Sequence, residues 1–570
     1  MSRVILGPIA DSLQSSFMKN HIQNDVANDK KRWYNPLKTF LKAFLRGDLN
    51  GHWSMLWPML IVMLYPLPFA FLDAFQRWWS IGHCIHVALL AFFTAYTFVF
   101  IISFIRNAII RRTIYGIGMA VLILHCLIKI ACNHSIHAPF NGDIVSAILA
   151  TNINEAYEMA CFFVCPEVIW VYLGLPVILL AYTFLCHKLR HRAMPKFICI
   201  GGGICFILSG ILLPFGNPLV VDEETGISCI TCFSDALQSA DIHIQETHPR
   251  LTVHHDGQPP LIVWIIGEST TSHHCSLYGY EKQTNPLLQQ KVDSGSCHVF
   301  TNVKSAATFT LESFKLMMST YQKSSSTDVK WNECDNLPEV AHLAGYRTCW
   351  MSNQSKNGLN DNLVGRYAEL CDTNVFVGNK YVGTFRSTYD EELFPIVKGM
   401  LDQPSTRDFF IINLYGCHES FYMRYPERFV HFWPNDYSDY PVDQRSMLCT
   451  YDNAVLYNDY VVSTLFDIIG EREAIAIYTP DHGMDIYETD PTYAAHAIVG
   501  NAKSCDLSRD IPCLIYMTPL YRERHPDVAE RVAESVHKSF DMEDAIYLMM
   551  DLMQCDFKDS PTVAQRSLLR

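Results

Sequence analysis

The sequence predicts a multi-pass α-helical membrane domain followed by an α/β domain whose central sheet is mostly parallel. Long uncharged apolar runs are concentrated in the first 215 residues of the 570-residue chain. From residue 261 onward, short apolar runs alternate with helical patterns, and this alternation is typical of a parallel sheet. The length of the chain also suits two domains better than one.

Five apolar segments, each near the ~20 residues needed to cross a bilayer, predict the membrane domain. A buried globular helix would explain any one of them, but five in series favour a membrane domain at 53–214. A basic segment at 1–52 precedes it, and a polar connector at 215–260 leads to the second domain at 261–570. The predicted spans are Trp53–Phe75, Ile85–Ile105, Ile114–Cys132, Pro166–His187 and Phe197–Pro214.

Lysine and arginine are unevenly distributed among the loops between these spans. They flank the second loop and fill the fourth, whereas the third loop, 133–165, contains neither residue. Loops rich in lysine and arginine remain on the cytoplasmic side of a membrane. We therefore expect a cytoplasmic N-terminus, with everything after Pro214 on the opposite side.

Two predicted buried strands end in side chains that could bind a metal. Leu261–Ile266 leads to Glu268, and Ala474–Thr479 leads to Asp481 and His482. Open parallel sheets place their chemistry just beyond the carboxyl ends of such strands. Adjacent Asp and His side chains are a ligand pair typical of zinc enzymes. A simple turn would explain the Asp-His-Gly sequence equally well, so the evidence lies in the combination of the two strand ends.

Thr308 and Thr310 supply hydroxyl groups just before a helical pattern. Free N–H groups at a helix start stabilise a bound phosphate, which favours a threonine there as a nucleophile. The simpler interpretation is that both threonines cap the helix. If Phe309 is the last residue before the helix, Thr310 lies in its first turn. Thr310 would then complete a set of three metal ligands and a nucleophile that can also coordinate.

Seven short motifs occur in order through the second half of the chain. They are Gly267-Glu268-Ser269-Thr270, Ser276-Leu277-Tyr278-Gly279-Tyr280, Thr284-Asn285-Pro286, Trp350-Met351-Ser352-Asn353-Gln354, Gly416-Cys417-His418, Tyr451-Asp452-Asn453 and Asp481-His482-Gly483. This set resembles the signature of bacterial phosphoethanolamine transferases of the alkaline phosphatase/sulfatase superfamily. That family includes lipid A-modifying, lipopolysaccharide-core-modifying and mobile colistin-resistance enzymes.

The resemblance implies a sulfatase-like fold for residues 261–570 and a catalytic zinc site. Its zinc ligands would be Glu268, Thr310, Asp481 and His482, with Thr310 also the nucleophile. One tightly bound Zn²⁺ is expected, and the resemblance does not decide whether a second zinc ion binds.

Other residues are implied by the same resemblance to act on the substrate. His418 and His496 resemble two histidines that the family keeps near the phosphate or a second metal, and histidine suits proton transfer near neutral pH. Asn353 and Lys356 are expected to contact the substrate.

The third loop contains Thr151 and Glu155, which are four residues apart and would share one helix face. The segment around them resembles the periplasmic helix whose Thr and Glu point towards the catalytic site in the family. A carboxylate there suits an ammonium headgroup such as ethanolamine. A solvated amphipathic helix on the membrane surface explains the spacing about as well.

The activity implied by the resemblance is transfer of phosphoethanolamine from phosphatidylethanolamine to lipid A or to a core sugar of lipopolysaccharide. The intermediate would be a phosphoethanolamine-threonine, as in other covalent catalysts. We expect a monomer in the bacterial inner membrane, with a periplasmic catalytic domain and a part in polymyxin resistance. With a formal net charge of −14, no nucleic-acid partner is expected.

Three alternatives compete with this activity. A glycerol-phosphate transferase, or another headgroup transferase of the same superfamily, is the nearest. A sulfatase is disfavoured because no Cys/Ser-x-Pro-x-Arg motif surrounds Thr310. A membrane receptor or transporter is disfavoured because the predicted spans show no internal repeat.

Cysteine use bears on both compartment and subgroup. Twelve of the 20 cysteines follow residue 215, and an even number in an oxidising compartment favours disulfides whose pairing spacing alone does not give. The lipid A-modifying members place a cysteine pair around the nucleophile. This sequence has Ala306 and Leu316 there, which favours the core-modifying subgroup.

Overall fold

The structure is a computed structural model with two compact units, Met1–Asn133 with Pro166–Thr231 and His134–Cys165 with Cys232–Arg570. Not every residue within these units is described. The described residues are 53–66, 81–103, 105, 107–131, 166–188, 243–254, 260–325, 329–356, 363–380, 388–403, 407–489, 494–495 and 502–570.

Four apolar helices make up the described part of the first unit. They are α1 (Trp53–Leu64), α2 (Ile81–Ser103), α3 (Ala108–Ala131) and α4 (Pro166–Lys188). Leu56, Met59 and Leu60 of α1 pack with Ala95 and Val99 of α2 in one buried cluster. The Tyr115 hydroxyl of α3 donates to the Met55 carbonyl of α1 at 2.8 Å.

These helices overlap four of the predicted spans, and the fifth predicted span lies outside the described residues. Within the part of the chain that the structure describes, one stretch, Ala108–Ile130, is long and apolar enough to cross a membrane. Met55–Leu64, Ala88–Val99 and Tyr172–Leu185 are shorter apolar stretches. The five-span domain therefore stays a prediction.

The first helix is shorter than the sequence predicted. α1 ends at Leu64 rather than Phe75. Pro66 follows closely, and proline disfavours helical backbone in the residue before it and cannot donate the next helical hydrogen bond. A run of apolar residues alone does not reveal such an end.

The second unit is built on a seven-stranded sheet with the strand order β3-β11-β8-β2-β7-β5-β6. The remaining strands form three two-stranded ladders, β1 with β13, β4 with β12 and β9 with β10. In chain order the strands are β1 (Leu251–Val253), β2 (Leu261–Gly267), β3 (Cys297–Phe300), β4 (Val303–Lys304), β5 (Arg347–Ser352), β6 (Thr373–Phe376), β7 (Asp408–Asn413), β8 (Ala474–Pro480), β9 (Asp485–Ile486), β10 (Ala494–Ala495), β11 (Cys513–Met517), β12 (Phe540–Asp541) and β13 (Cys555–Phe557).

The sheet is mixed. β2 is parallel to β7 and β8, and β5 is parallel to β6 and β7, as predicted. β11 departs from the prediction because it runs antiparallel to both β8 and β3. Its five residues are all buried, and a strand with apolar residues throughout carries no signal of its direction.

Helices cover both faces of this sheet. Ile262, Trp264 and Ile266 of β2 enter one buried core, and Val263 and Ile265 enter the other, because successive strand side chains point to opposite faces. The helices are α5 (Pro286–Asp293), α6 (Thr310–Met317), α7 (Leu337–Leu343), α8 (Leu363–Glu369), α9 (Phe394–Leu401), α10 (Val442–Ile469), α11 (Ala502–Leu507), α12 (Pro519–Arg524), α13 (Pro526–Ser535), α14 (Ala545–Leu552) and α15 (Val563–Arg566).

The longest helix of the second unit is α10, which runs for 28 residues. Pro441 immediately precedes its first residue, and Gly470 ends it with a φ of 66°. A glycine with positive φ is a common helix stop because it has no Cβ to oppose that conformation.

Eleven cysteines whose side chains the structure describes are free, Cys126 in the first unit and ten in the second. Ala306 and Leu316, which the sequence analysis aligned with a cysteine pair of the lipid A-modifying members, are fully buried in the core.

Candidate functional site

The pairing of β2 with β8 brings together two polar segments that are far apart in sequence. The two strands are parallel, and their register ends with Gly267 opposite Pro480. Glu268 and Asp481 are the next residues of each chain segment, and the Asp481 N–H donates to the Gly267 carbonyl at 3.1 Å. The predicted convergence of these strand ends is therefore present.

Glu268, Asp481 and His482 form a compact, buried cluster. Each offers one ligand atom, and the three atoms lie within 4.8 Å of one another. His482 Nε2 lies 3.2 Å from Glu268 Oε1 and 3.7 Å from Asp481 Oδ2. Each of the three residues is only 1% exposed. No other such group of acidic, histidine or cysteine side chains occurs among the described residues.

Thr310 lies at the edge of this cluster, in the first turn of α6. Its Oγ1 is 3.3 Å from each carboxylate oxygen of Glu268 and 3.4 Å from His482 Nε2. The residue at the N-cap of α6 is Phe309, so the interpretation of Thr308 and Thr310 as capping residues is wrong. Thr310 presents its hydroxyl to the cluster beside the free N–H groups of the helix start.

Two side chains that the sequence analysis left without a role hold Glu268. Ser269 adopts a φ of 52°, donates its hydroxyl to Glu268 Oε1 at 2.8 Å, and donates its N–H to Asp481 Oδ1 at 3.3 Å. Gln354 donates to Glu268 Oε2 at 3.2 Å and also to the Leu414 carbonyl. Both residues belong to the motifs that carry the family resemblance, and this membership could have indicated a role in the site.

The tautomer of His482 follows from its backbone contact. Its Nδ1 lies 2.9 Å from the Gly483 carbonyl, which can only accept, so Nδ1 carries the proton. When the ring is neutral, the lone pair lies on Nε2, which faces Glu268 and Thr310. A backbone carbonyl that orients an imidazole in this way is typical of metal-binding histidines.

The electrostatics of the cluster favour a cation. Burial and the nearby Glu268 raise the pKa of Asp481 to about 8. Burial opposes the charge on Glu268 as well, but the hydrogen bond and charge of His482 outweigh it, and the pKa of Glu268 is lowered. Burial disfavours charged His482, yet the two carboxylates raise its pKa to about 9.

Asp481 Oδ2 is buried and has no hydrogen-bond partner among the described residues. Two carboxylates and one imidazole with its lone pair turned inward are a donor set that Zn²⁺ accepts. The residues therefore fit a zinc ion, with Thr310 as a fourth donor.

His418 lies outside the compact cluster, in the turn after β7. Its charge is close enough to lower the pKa of Glu268. Its Nδ1 is buried, and no hydrogen-bond partner for it occurs in the described part of the chain.

Asn353 and Lys356 engage other protein groups. Asn353 donates to Asp390 Oδ1 at 2.9 Å, and Lys356 Nζ lies 3.0 Å from Glu369 Oε1. Their roles in substrate binding stay predictions. Thr151, Glu155 and His496 lie outside the described residues, so their roles stay predictions as well.

Comparisons with known proteins identify the family to which this fold and site belong. The sulfatase family profile matches residues 260–554, more than half of the chain. Phosphoethanolamine transferase EptC from Escherichia coli (strain K12) is 26% identical over 304 residues, which cover 52% of this chain and 51% of that relative. The match thus spans about half the length of that relative.

Two solved structures share the fold. The C-terminal periplasmic domain of E. coli EptC in complex with Zn gives a TM-score of 0.51 at 23% identity and covers 56% of this chain and 89% of that one. The integral membrane protein lipooligosaccharide phosphoethanolamine transferase A (EptA) from Neisseria meningitidis gives 0.64 at 18% identity and covers 90% and 98%. The similarity to phosphoethanolamine transferases is confirmed, and the chain belongs to the sulfatase family.

Proposed function

We propose that the chain is a zinc-dependent transferase that moves phosphoethanolamine from phosphatidylethanolamine to lipopolysaccharide, at lipid A or a core sugar. The observation that carries this proposal is the position of Thr310 Oγ1, 3.3 Å from both Glu268 oxygens and 3.4 Å from His482 Nε2. The names of the similar proteins, a phosphoethanolamine transferase and a lipooligosaccharide phosphoethanolamine transferase, support the choice of group and acceptor.

The protein's own groups suit the first step. Glu268, Asp481 and His482, with Thr310, would hold Zn²⁺, which when bound supplies a Lewis acid for the phosphoryl oxygens and lowers the pKa of a coordinating hydroxyl. A bond forms between Thr310 Oγ1 and phosphorus while the bond from phosphorus to the diacylglycerol oxygen breaks. The N–H groups at the start of α6 face the phosphate. Diacylglycerol leaves with a proton, and phosphoethanolamine-Thr310 remains.

In the second step the acceptor takes the group from Thr310. A bond forms between phosphorus and a hydroxyl or phosphate oxygen of lipopolysaccharide while the bond from phosphorus to Thr310 Oγ1 breaks, and the proton released by the acceptor restores the Thr310 hydroxyl. We assign His418 and His496 to proton transfer at the exchanging oxygens. Both residues would also contact the bound phosphate.

Four residues are assigned to substrate contacts beyond the phosphate. Glu155, with Thr151 on the same helix face, would accept the ammonium group of ethanolamine. Asn353 and Lys356 would contact the substrate near the cluster, and Lys356 would exchange its ion pair with Glu369 for a substrate oxygen.

The location follows from the lipid donor. A membrane-spanning N-terminal domain would hold the catalytic domain, on the periplasmic side of the bacterial inner membrane, next to the bilayer that supplies phosphatidylethanolamine. The proposed enzyme acts as a monomer, and its modification of lipopolysaccharide would contribute to polymyxin resistance.

Trapping the covalent intermediate tests the proposal. Full-length protein is incubated with phosphatidylethanolamine and no acceptor, and its peptides are analysed by mass spectrometry. We expect phosphoethanolamine on Thr310, no adduct in Thr310→Ala, and an adduct in Thr308→Ala. Thr310→Ser, which keeps a hydroxyl, should retain a slower reaction.

The same experiment has outcomes that contradict the proposal. An adduct on Thr308, or none on either residue, would refute Thr310 as the nucleophile. A glycerol-phosphate adduct formed from phosphatidylglycerol in preference to phosphatidylethanolamine would identify the alternative headgroup transferase.

A further inference from the structure

The turn after β7 lies directly against the backbone of Glu268. Gly416 in this turn has a φ of 53°, and a Cβ there would lie 2.7 Å from the Glu268 nitrogen and 2.8 Å from its carbonyl oxygen. The next residue, Cys417, donates its N–H to the Glu268 carbonyl at 2.9 Å. His418 follows. The shape of one turn therefore determines where both Glu268 and His418 lie.

Asp390 holds this turn from a buried position, 3% exposed. Its Oδ1 accepts the Tyr415 N–H at 2.7 Å, and its Oδ2 accepts the Gly416 N–H at 2.9 Å. Asn353 donates to Oδ1 at 2.9 Å. Two consecutive backbone N–H groups bound by the two oxygens of one carboxylate fix the orientation of the peptide between them.

A second contact steadies the other end of the turn. The Arg424 guanidinium lies 4.1 Å from the centre of the Tyr415 ring. It also donates to the Glu419 carbonyl from Nε at 3.3 Å and from Nη2 at 3.2 Å. His418 thus lies between one residue held by Asp390 and another held by Arg424.

Asp390 reaches Glu268 by a second route. Its partner Asn353 immediately precedes Gln354, which donates to Glu268 Oε2 at 3.2 Å and to the Leu414 carbonyl at 3.2 Å. The backbone of Glu268 is thus contacted by the turn, and its carboxylate by Gln354. Both contacts depend on groups that Asp390 binds.

Burying a carboxylate is unfavourable unless hydrogen bonds compensate for the lost hydration. Burial raises the pKa of Asp390, while its three hydrogen bonds and the charge of Arg424 act in the opposite direction. Asp390 has no direct hydrogen bond to Glu268, Asp481, His482 or Thr310 within the described ranges. Its partners are the elements that carry the site.

We propose that Asp390 is a positioning residue for the metal centre, acting through the Tyr415–Gly416 turn and Asn353 on Glu268 and His418. As a statement about catalysis the inference rests on the proposed function, but its effect on zinc binding is separable. Groups that orient metal ligands typically alter metal affinity or activity by about 10–100-fold when they are replaced.

The test compares Asp390→Asn with a matched control, Asp459→Asn. Asp459 is also a fully buried carboxylate that binds two consecutive backbone N–H groups, those of Leu287 and Leu288, both at 2.9 Å. It lies on α10 and serves the start of α5. In each variant the new amide NH₂ group faces a backbone N–H, so each variant loses one hydrogen bond from the backbone to the side chain.

Three quantities are measured on purified full-length protein: zinc affinity by competition with a chelator, the melting temperature of the metal-free protein, and the kinetics of transfer. For Asp390→Asn we expect zinc affinity and kcat to fall about 10–100-fold, with KM for the donor unchanged. For Asp459→Asn we expect a similar melting temperature to that of Asp390→Asn, with zinc affinity and kcat near the wild-type values.

A double-mutant cycle separates positioning from general damage. In a His418→Ala background, Asp390→Asn should lower kcat by a smaller factor than in the wild type, because one route of its effect is already lost. Equal losses of zinc affinity and kcat in the Asp390→Asn and Asp459→Asn variants would overturn the inference. So would full additivity with His418→Ala together with wild-type zinc affinity.

The remaining outcomes are also decisive. If Asp390→Asn fails to fold, Asn353→Ala, which removes one of the three donors, takes its place: a several-fold loss of zinc affinity supports the inference, and wild-type affinity refutes it. If the wild-type protein binds zinc but transfers no phosphoethanolamine, the proposed function fails, and the zinc affinities still test the positioning role.

Discussion

Two clusters of charged side chains adjoin the segment 268–274, one around the buried Glu268 and one around the buried His274, and they differ in how completely their polar atoms are hydrogen-bonded. At one end, Glu268 meets Asp481 and His482, and Asp481 Oδ2 has no hydrogen-bond partner in the described part of the chain. At the other end, His274 binds Asp452 Oδ1 through Nδ1 at 2.6 Å and Glu488 Oε1 through Nε2 at 3.3 Å.

The cluster around His274 is saturated. Asp452 Oδ2 accepts the hydroxyls of Tyr280, at 2.8 Å, and Tyr437. Glu488 uses its second oxygen to accept the Ile486 N–H. A buried polar network with every member satisfied makes a fold specific and rigid. A buried cluster with two carboxylates and an oxygen that accepts no hydrogen bond instead needs a partner from outside, which here we take to be a cation.

The two clusters are linked by α10. Next to Asp452, the Tyr451 hydroxyl donates to the Ser269 carbonyl and accepts the Thr271 N–H, both at 2.9 Å. The saturated cluster thus anchors the segment whose first residue is the proposed ligand Glu268. The comparison predicts that removing a carboxylate from the Glu268 cluster abolishes zinc binding without destabilising the fold. Removing a carboxylate from the His274 cluster should destabilise the fold without abolishing zinc binding.

The largest effect is expected from Asp481→Ala. Loss of this ligand should remove most bound zinc and reduce transfer to the background rate. The metal-free protein should be at least as stable as the wild type, because the variant removes a buried carboxylate whose pKa is raised to about 8. Zinc content by mass spectrometry, transfer assays and melting of the metal-free protein measure these effects. Full zinc occupancy in the variant would place the site elsewhere.

Asp452→Asn should do the reverse. It leaves protonated His274 without its nearest buried counter-charge, and breaking a buried ion pair in this way typically destabilises a protein by about 3–5 kcal/mol. The folded fraction should still bind one equivalent of zinc. Denaturant unfolding with zinc titration tests both statements, and a variant as stable as the wild type would show that the cluster contributes little.

The His274 cluster should also make stability depend on pH. Burial lowers the pKa of His274, but Asp452 and Glu488 outweigh it and raise the pKa to about 9, against 6.5 ordinarily. A raised pKa stabilises the fold fully below pH 6.5, and this stabilisation is lost as the pH rises towards 9. The loss corresponds to about 3 kcal/mol.

Unfolding curves of the wild type and of His274→Gln, recorded from pH 6 to pH 9.5, test this contribution, because the titration of groups that do not contact His274 cancels in the difference. The difference in unfolding free energy should shrink as the pH rises. A difference independent of pH would mean that His274 is uncharged in the folded protein.

The smallest effect is expected from Gln354→Met, which keeps the approximate shape of the side chain but removes the hydrogen bond to Glu268 Oε2. Zinc affinity should fall about tenfold, as is usual for groups that orient a ligand. The melting temperature of the metal-free protein should change little. Chelator competition measures the affinity. An unchanged affinity would show that Ser269 alone suffices to orient Glu268.

The sequence predicted those parts of the site that local patterns encode. β2 and β8 were recognisable as uninterrupted apolar runs ending in polar residues, and the helix start at Thr310 followed from a helical pattern. The antiparallel direction of β11 was missed because its side chains are buried whichever way the strand runs. Asp390 was missed for a different reason. It binds the backbone N–H groups of Tyr415 and Gly416, and a sequence does not show that these distant residues lie close to it.

The register between β2 and β8 limits which changes in chain length the protein can accept. Each strand residue advances the chain by about 3.3 Å and turns its side chain to the other face of the sheet. One residue inserted between Leu261 and Glu268 would either carry the carboxylate away from Asp481 or break the ladders that join β2 to β7 and β8. Insertions and deletions should therefore be tolerated in the connecting loops but not in these two strands. The lengths of β2 and β8 together fix the distance between Glu268 and Asp481.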